Sequence, residues 1–262
     1  MTEKLEKLLS ILKDMQSAVI AFSGGVDSTF LLKAAGEAGI PHLAVTAFSE
    51  TMPASELKFA GEVAQLITAR HTVIKTRELD DPRFTSNPRD RCYYCKDELF
   101  TRLSEIAAAE GYRFVADGSN CDDLSDWRPG RQAAVQHGVR SPLVEASLSK
   151  REIRELSKQI GLPTWEKPAS PCLSSRVPYG TEITRDALRR IELSEEFLKG
   201  LGFGELRVRS HNDTARIEVS GESIGRFLGK DTRESVVKRL KELGFRYISI
   251  DLEGFRSGRL NE

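Results

Sequence analysis

Six residues near the start of the chain have the types and the order needed to bind a chain of phosphates. The run Ser23-Gly24-Gly25-Val26-Asp27-Ser28 lies between an apolar segment at 17–22 and a helical pattern at 28–38. A glycine-rich turn between a strand and a helix gathers backbone N–H groups and the positive end of a helix dipole around one point. We therefore expect this turn to hold a nucleotide. It differs from the Walker P-loop, which needs Gly-Lys-Ser/Thr where this chain has Asp27 and Ser28.

Cysteines form the second group of residues that can do chemistry. Cys92 and Cys95 make a C-x-x-C pair at the start of a helical pattern, where a spacing of three residues brings both thiols to one face. Cys172 follows far along the chain, so thiolates from two places could close on one site. Disulfides are not expected in a reducing compartment. We interpret Cys121 as a small buried residue near the nucleotide site.

The chemistry of these thiols leaves several uses open. A structural zinc site is disfavoured, because it needs four ligands and the four histidines are scattered along the chain. A redox role for the C-x-x-C pair and a role for Cys172 as a single catalytic thiol both remain possible uses. A [4Fe–4S] cluster on Cys92, Cys95 and Cys172 would leave one iron without a protein thiolate, where a sulfide could bind. That arrangement suits sulfur transfer.

Two arginines near residue 208 are candidates for binding an anion. Arg207 and Arg209 lie two residues apart in a strand-like run, so both guanidinium groups project to one face. They could clamp a phosphate or a carboxylate. The alternative is an exposed strand face whose surface ion pairs contribute little. Glu195 lies on a predicted helix at 185–199, where acidic residues usually face water.

The elements that would position the nucleotide site alternate regularly through the first 160 residues. Apolar runs are followed by helical stretches, with strands predicted at 18–22, 43–48, 72–74 and 114–116 and helices at 28–38, 54–68, 94–110 and 150–160. This pattern predicts the α/β class with a doubly wound, mostly parallel sheet. Ligands of such sheets bind beyond the carboxyl ends of the strands. Ser23, residues 48–50 and residues 117–120 would converge there.

The remainder of the chain has a different pattern. Helices are predicted at 185–199 and 232–243, and strands at 205–208, 216–219 and 247–252. We therefore expect two domains, a nucleotide-binding domain over 1–162 and a smaller α+β domain over 163–262. The second would bind the substrate and carry the transfer chemistry.

Length and charge limit the partners of the protein. The chain has 262 residues, with 39 Lys and Arg balanced by 39 Asp and Glu, so no overall field attracts nucleic acid or a membrane. An anionic ligand must be bound by local groups. Residues 1–15 read as a charged amphipathic helix rather than a signal peptide, and no apolar run approaches about 18 residues. We expect a cytoplasmic protein without a membrane or nucleic-acid partner.

The run from Ser23 to Ser28 resembles the PP-loop of the N-type ATP pyrophosphatases. These enzymes cleave ATP between the α- and β-phosphates, and they usually adenylate a carboxylate or carbonyl and release pyrophosphate. Ser23, Gly24, Gly25 and Ser28 would line the pyrophosphate with N–H and hydroxyl donors. Asp27 is better placed as a Mg²⁺ ligand, because two anions repel without a cation between them.

Four further segments make the resemblance more specific. They are residues 126–131, 172–180, 208–213 and 254–259. Together with the PP-loop run they resemble the LarE family over nearly the whole chain, from about Leu5 to the end. These ATP-dependent sulfur transferases adenylate the carboxylates of pyridinium-3,5-biscarboxylic acid mononucleotide and convert them to thiocarboxylates. The product becomes the ligand of the nickel-pincer cofactor of lactate racemase.

The LarE resemblance also implies how sulfur is supplied. Some members have a single cysteine matching Cys172 and sacrifice its sulfur. Others also have a C-x-x-C and hold a [4Fe–4S] cluster that can pass on an extra sulfide from a donor repeatedly. Cys92 and Cys95 match the second type, so the sacrificial route is the second choice.

The same resemblance assigns the remaining site residues. It implies substrate recognition at Ser175, Arg207 and Arg209, together with Glu195. We place Cys172, Asp27 and Glu195 in the catalytic set. The family also implies a homo-oligomer, such as a hexamer, whose small-molecule partner is the pyridinium mononucleotide.

Three other functions stay open. A PP-loop tRNA thiolase can combine the same loop with three cysteines, but the balanced charge and the C-terminal motifs count against it. An amide-forming PP-loop synthetase would not need the cysteines. A nucleotide- or iron–sulfur-binding sensor would have the same sites without turnover.

Overall fold

The structure is a computed structural model and describes residues 3–124 and 129–256. It divides into two compact units, of which the first comprises Met1–Phe84 and Arg89–Ser170 and the second Thr85–Pro88 and Pro171–Glu262. The boundary expected between residues 162 and 163 stays a prediction about where the functional domains divide. Residues 126–128 and 257–259 of the LarE-like segments lie outside the described residues.

The first unit contains alternating strands and helices, as the sequence predicts. In chain order the elements up to residue 159 are α1 (Glu3–Met15), β1 (Ala18–Ala21), α2 (Val26–Glu37), β2 (His42–Phe48), α3 (Ala54–Leu66), β3 (His71–Lys75), α4 (Pro82–Thr85), α5 (Arg91–Glu110), β4 (Phe114–Ala116), α6 (Pro129–Gln136), α7 (Pro142–Glu145) and α8 (Lys150–Gln159). α4 ends at the first residue of the second unit.

The four strands of the first unit form one parallel sheet in the order β3-β2-β1-β4. Ile20 of β1 pairs with Ala44 of β2 on one side and with Ala116 of β4 on the other. The chain winds outward from β1 to β3 and then returns to β4, so the order reverses between β1 and β4. Such a switch point opens a crevice at the carboxyl ends of the two strands. The α/β, doubly wound prediction is confirmed.

Alternate residues of the strands face two layers of helices. Ile20 and Ala44 pack in a core with residues of α1, α2, α3 and α8. Val19 and Leu43 pack in a second core with residues of α5 and α6. Because both faces are covered, the strands are apolar at successive positions. No helix within residues 3–124 and 129–256 has both the length and the apolar character needed to cross a membrane.

The second unit contains a smaller mixed sheet, in agreement with the α+β prediction. Its strands follow the order β5-β6-β7, with β5 and β6 antiparallel and β6 and β7 parallel. The core side chains include Leu206, Val208 and Ile217. The elements include a 3-10 helix (Leu173–Arg176), α9 (Arg185–Gly200), β5 (Leu206–His211), β6 (Thr214–Val219), α10 (Gly221–Ile224), α11 (Lys230–Glu242) and β7 (Tyr247–Ile250).

A buried asparagine ties a segment from the middle of the chain to the second unit. The side-chain amide of Asn87 donates to the carbonyls of Pro178 at 2.7 Å and Thr181 at 2.9 Å. Asn87 is fully buried and has a φ of +56°, a conformation that asparagine tolerates better than most residues. These bonds explain why Thr85–Pro88 belongs to the second unit.

Candidate functional site

The loop between β1 and α2 lies at the switch point of the parallel sheet. Its two serines are close together, with 3.3 Å between the hydroxyl oxygens of Ser23 and Ser28. The N–H of Gly25 donates to the Ser23 hydroxyl at 3.3 Å. Gly25 caps α2, and no described side chain accepts a cap hydrogen bond there. α2 therefore starts without a side-chain cap, which is the arrangement in which N–H groups of a first turn can bind an anion.

Two glycines allow neighbouring elements to pack directly against this loop. Gly24 has a φ of +67°, and a β-carbon there would lie 2.9 Å from the Cα of Ala60 in α3. A β-carbon at Gly118, in the loop after β4, would lie 2.9 Å from the backbone nitrogen of Ser28. The predicted convergence is confirmed for the loops after β1 and β4, and the place of residues 48–50 beside them stays a prediction. The close contact at Gly118 was not predicted, although Asp117-Gly118-Ser119 after a strand is a turn signal.

The replacement of Gly24 by alanine should weaken ATP binding at least about tenfold. The new methyl group would enter both a left-handed conformation and the backbone of Ala60, so the loop must move. Gly39→Ala is a matched control, because Gly39 has a φ of +72° and no atom lies within 4 Å of the place that the new methyl carbon would take. It should incur only the backbone strain of about 1–2 kcal/mol. Calorimetric titration with ATP measures the difference, and equal affinities for both variants would contradict the prediction.

Asp27 forms an ion pair with a lysine from the first turn of α8. The Nζ of Lys150 donates to Oδ2 of Asp27. Ser149 and Glu152 form a capping box that fixes the start of α8, and bonds from Lys4 and Ser149 hold the pKa of Glu152 at about 2. Burial raises the pKa of Asp27, and Lys150 opposes that rise. The other oxygen, Oδ1, is buried without a hydrogen-bond partner among the described residues.

The C-x-x-C pair lies at the amino end of α5. This helix begins at Arg91, three residues before the predicted start at 94, so both cysteines are inside it. Cys92 is exposed and Cys95 is half-buried. α6 packs closely here, since a β-carbon at Gly130 would lie 2.8 Å from Cγ of Lys96 and 3.3 Å from the carbonyl oxygen of Cys92. The first turn of α6 thus contacts the backbone that carries the thiols.

Cys172 combines a fixed backbone with an exposed side chain. Its carbonyl oxygen accepts bonds from the Ser175 N–H at 3.0 Å, the Ser175 hydroxyl at 2.8 Å and Nη1 of Arg176 at 3.1 Å. The cysteine side chain itself is exposed, and none of the four cysteines, all of them described, is in a disulfide.

Over residues 3–124 and 129–256, no group of three or more His, Cys, Asp or Glu side chains could hold a metal ion. The joint site of Cys92, Cys95 and Cys172 stays a prediction. Cys121 is half-buried, with its sulfur 3.8 Å from the carbonyl oxygen of Val144.

Glu195 is buried in an ion pair instead of facing water. Its two carboxylate oxygens accept from Nε and Nη2 of Arg176 at 2.9 and 3.1 Å, and one of them also accepts the N–H of Val208 at 3.0 Å. The side chains of Arg176 and Glu195 are only 2% and 4% exposed. Glu195 therefore joins α9, the 3-10 helix and β5. Its place in the catalytic set stays a prediction.

Arg209 forms hydrogen bonds within the protein. Its guanidinium donates to Glu218 at 2.7 Å and to the carbonyl of Ser175 at 2.9 Å. The side chain is buried, so the alternative of an exposed strand face with surface ion pairs does not describe it. Through this bond Arg209 also fixes the segment that carries Ser175.

Arg207 differs from its neighbour because no described carboxylate pairs with it. Its guanidinium donates to the carbonyl of Leu206 at 2.7 Å and lies over the ring of Phe255, 4.9 Å from the centroid. Burial, and then the charge of Arg176, lower the pKa of Arg207 from its ordinary value. The charges of Glu195 and Glu205 act on Arg207 in the opposite direction, but neither carboxylate accepts a described hydrogen bond from it. A partly buried guanidinium that no carboxylate pairs with directly favours an incoming anion.

The fold and the loop define the class of this protein. A phosphate-binding turn of the Ser-Gly-Gly-Val-Asp-Ser type at the switch point of a parallel sheet is typical of PP-loop enzymes, which use ATP. The structure of an NMN synthetase from Francisella tularensis shares the fold, with a TM-score of 0.51 and 21% identity over 64% of this chain and 74% of that one. No family model matches the chain.

Several relatives match almost the full length of the chain. An uncharacterised protein of Synechocystis is 46% identical over 259 residues, covering 98% of this chain and 97% of that protein. The pyridinium-3,5-bisthiocarboxylic acid mononucleotide synthase of Lactiplantibacillus plantarum is 41% identical over 263 residues, covering 99% of this chain and 94% of the synthase. The chain belongs to the family of this synthase, the LarE family.

Proposed function

We propose that the protein uses ATP to adenylate the carboxylates of pyridinium-3,5-biscarboxylic acid mononucleotide and then replaces oxygen with sulfur to give thiocarboxylates. The observation that carries this proposal is the 41% identity, over nearly the whole chain, to a synthase named for the bisthiocarboxylic acid product. Its product class requires a sulfur donor and an activated carboxylate. The PP-loop supports the activation half of the reaction.

Adenylation begins at the loop after β1. The hydroxyls of Ser23 and Ser28 and the N–H groups of Gly24 and Gly25 would hold the phosphates, with the α2 dipole adding a favourable field. A carboxylate oxygen of the substrate attacks the α-phosphorus, the bond to the β-phosphate breaks, and pyrophosphate leaves with the electron pair. The poor leaving group, oxide, is thereby replaced by AMP. Fixed donors around the phosphates stabilise the charge that develops.

The residues near the loop fit a Mg²⁺ ion bound together with the nucleotide. Oδ1 of Asp27 is a buried acceptor without a described partner, and Mg²⁺ is usually held by one or two carboxylates together with substrate phosphates. Asp27 would supply such a ligand and orient the phosphates through the ion. When bound, Mg²⁺ would neutralise part of the charge on the phosphate oxygens.

Arg207 is proposed to bind an anionic group of the pyridinium substrate, either its phosphate or a carboxylate. The support is its half-buried guanidinium, whose described hydrogen bond goes to a backbone carbonyl and not to a carboxylate. Arg209 and Glu195 have a structural role in this region. Arg209 donates a hydrogen bond to the carbonyl of Ser175, and Glu195 accepts one from Arg176. Ser175 in turn holds the backbone of Cys172.

The replacement of Arg207 by methionine should raise KM for the pyridinium substrate about 10- to 100-fold, because a charge-assisted hydrogen bond contributes about 1.5–3 kcal/mol. KM for ATP should stay within about threefold. Arg256→Met is the control, since Arg256 is an exposed arginine that pairs with Glu253 at 2.9 Å. Steady-state kinetics with both substrates checks this, and an unchanged KM in Arg207→Met would exclude Arg207 as a substrate ligand.

For the sulfur supply we propose a [4Fe–4S] cluster on Cys92, Cys95 and Cys172. Three cysteines outside disulfides, two of them exposed, support the donor set. When bound, such a cluster would have one iron without a protein thiolate and could carry a sulfide there. The second choice is sacrificial donation of the Cys172 sulfur. A homo-oligomeric state, a cytoplasmic location and a separate sulfide donor are proposals that rest on the family alone.

The deciding experiment incubates anaerobically purified protein with Mg-ATP, sulfide and pyridinium-3,5-biscarboxylic acid mononucleotide. Mass spectrometry then follows both the small-molecule products and the intact protein. We expect repeated thiocarboxylate formation with an unchanged protein mass. A single turnover with loss of the elements of H₂S from Cys172 would support the sacrificial route. If no sulfur enters the pyridine, the proposed substrate is wrong, and tRNA is tested next.

A further inference from the structure

A lysine that follows α8 in the chain reaches the phosphate-binding loop and the first turn of α3. The Nζ of Lys167 lies 3.3 Å from the carbonyl oxygen of Gly24 and 2.8 Å from Oε2 of Glu56 in α3. The ammonium also lies 3.8 Å from the centroid of the Phe59 ring. Only 15% of the Lys167 side chain is exposed. These four residues all belong to the first unit.

The position of Lys167 matters because the protein has no overall positive charge to attract a polyphosphate. Positively charged side chains close to the loop would therefore attract the polyphosphate. Lys150 is already paired with Asp27 in the same loop, whereas Lys167 contacts the loop itself only through a long bond to one carbonyl. Its main partner, Glu56, lies on another helix.

The surroundings of Lys167 allow its ammonium group to exchange one hydrogen-bond acceptor for another. An ammonium group has three rotatable N–H donors and lacks the rigid planar geometry of a guanidinium, so a new acceptor can replace the old one. The Phe59 ring covers it on one side, which reduces its hydration and strengthens its attraction to a nearby anion. A pyrophosphate group with several negative oxygens competes well with a single carboxylate for such a cation.

We propose that Lys167 binds the pyrophosphate part of ATP and that Glu56 holds the lysine at the loop until the nucleotide enters. The inference rests on the proposed function in one respect, namely that the loop after β1 binds ATP. Lys167 donates to the backbone of Gly24, in the part of the loop that would line the pyrophosphate. On nucleotide binding its ammonium would move from Glu56 to a β- or γ-phosphate oxygen. The same contact would hold pyrophosphate after the bond to the α-phosphate breaks.

Titration calorimetry with Mg-ATP, Mg-pyrophosphate and AMP tests the proposal. Lys167→Met should weaken ATP and pyrophosphate binding about 10- to 100-fold and leave AMP binding within about threefold. Glu56→Gln removes the competing carboxylate, so ATP binding should be unchanged or tighter. Lys158→Met is the matched control, since the ammonium of Lys158 also lies over an aromatic ring, that of Trp165 at 4.3 Å. It should bind all three ligands as the wild type does.

Two results would overturn the proposal. If Lys167→Met binds pyrophosphate as tightly as the wild type, the lysine is not a phosphate ligand. If Glu56→Gln weakens ATP binding as much as Lys167→Met, the pair is a structural link between the loop and α3. A double variant, Glu56→Gln with Lys167→Met, avoids an unpaired charge, and it should melt like the wild type yet bind pyrophosphate weakly. Failure of the wild-type protein to bind ATP at all would instead contradict the proposed function.

Discussion

Cys172→Ala should lose at least about 10³-fold of the sulfur-transfer rate while it binds ATP like the wild type. Both routes for sulfur supply depend on this thiol, either as a cluster ligand or as the sulfur itself. The side chain is exposed, so its removal leaves no cavity and should not change the melting temperature. Thiocarboxylate formation is followed by mass spectrometry and ATP affinity by calorimetry on the same preparation.

The other cysteines provide controls that separate the two routes. Cys121→Ala should keep full activity, since Cys121 is half-buried with its sulfur near the Val144 carbonyl. Cys92→Ala should stop repeated turnover if a cluster is used, but it should leave a single turnover if Cys172 sacrifices its sulfur. Sustained thiocarboxylate formation by Cys172→Ala would contradict both routes. Sustained pyrophosphate release without thiocarboxylate, in the wild type as in the variant, would instead indicate an amide-forming or other PP-loop reaction.

Glu195→Ala should destabilise the protein by about 3–5 kcal/mol, which is the usual cost of removing one partner from a buried ion pair. Arg176 would keep its charge in a site that is 2% exposed, and the N–H of Val208 would lose its acceptor. Urea denaturation followed by circular dichroism measures the change. An activity loss in this variant should therefore accompany a loss of folded protein.

Glu196→Ala is the matched control, because Glu196 is the next residue on α9 and is exposed. It should change the free energy of unfolding by less than about 0.5 kcal/mol. The double variant Glu195→Leu with Arg176→Met removes both charges and should recover most of the lost stability. If Glu195→Ala unfolds at the wild-type urea concentration yet is inactive, Glu195 acts in the chemistry and not as a support.

The parallel sheet and the phosphate-binding loop could be predicted from sequence because their signals are local. Strand β4 was predicted with its observed bounds, Phe114–Ala116, since a short apolar run between polar segments has one interpretation. α6 was missed, because Pro129–Gln136 has only two buried residues and little apolar periodicity. The close packing of α6 against the C-x-x-C segment depends on Gly130, and the sequence does not indicate that these two helices are in contact.

The candidate site was predicted less completely, since burial is decided by distant parts of the chain. Glu192, Glu195 and Glu196 have similar surroundings in sequence, and only the presence of Arg176 from the 3-10 helix selects Glu195 as the buried one. In the same way, Arg207 and Arg209 look equivalent in the sequence, and only the structure shows that Glu218 on β6 forms an ion pair with Arg209. No neighbouring residue in the sequence indicates that Lys167 lies at the loop, because its partners come from the loop after β1 and from α3.

The small segment Thr85–Pro88 has a consequence for the way this protein can be cut or recombined. Because Asn87 fastens this segment to residues 178–181, the polypeptide passes from one unit to the other three times, at residues 84/85, 88/89 and 170/171. A gene fragment that encodes only residues 171–262 would therefore lack part of its own unit. An exchange of this unit between related enzymes needs two insertions, and a hybrid with a single junction after residue 170 would combine Asn87 from one parent with its carbonyl partners from another.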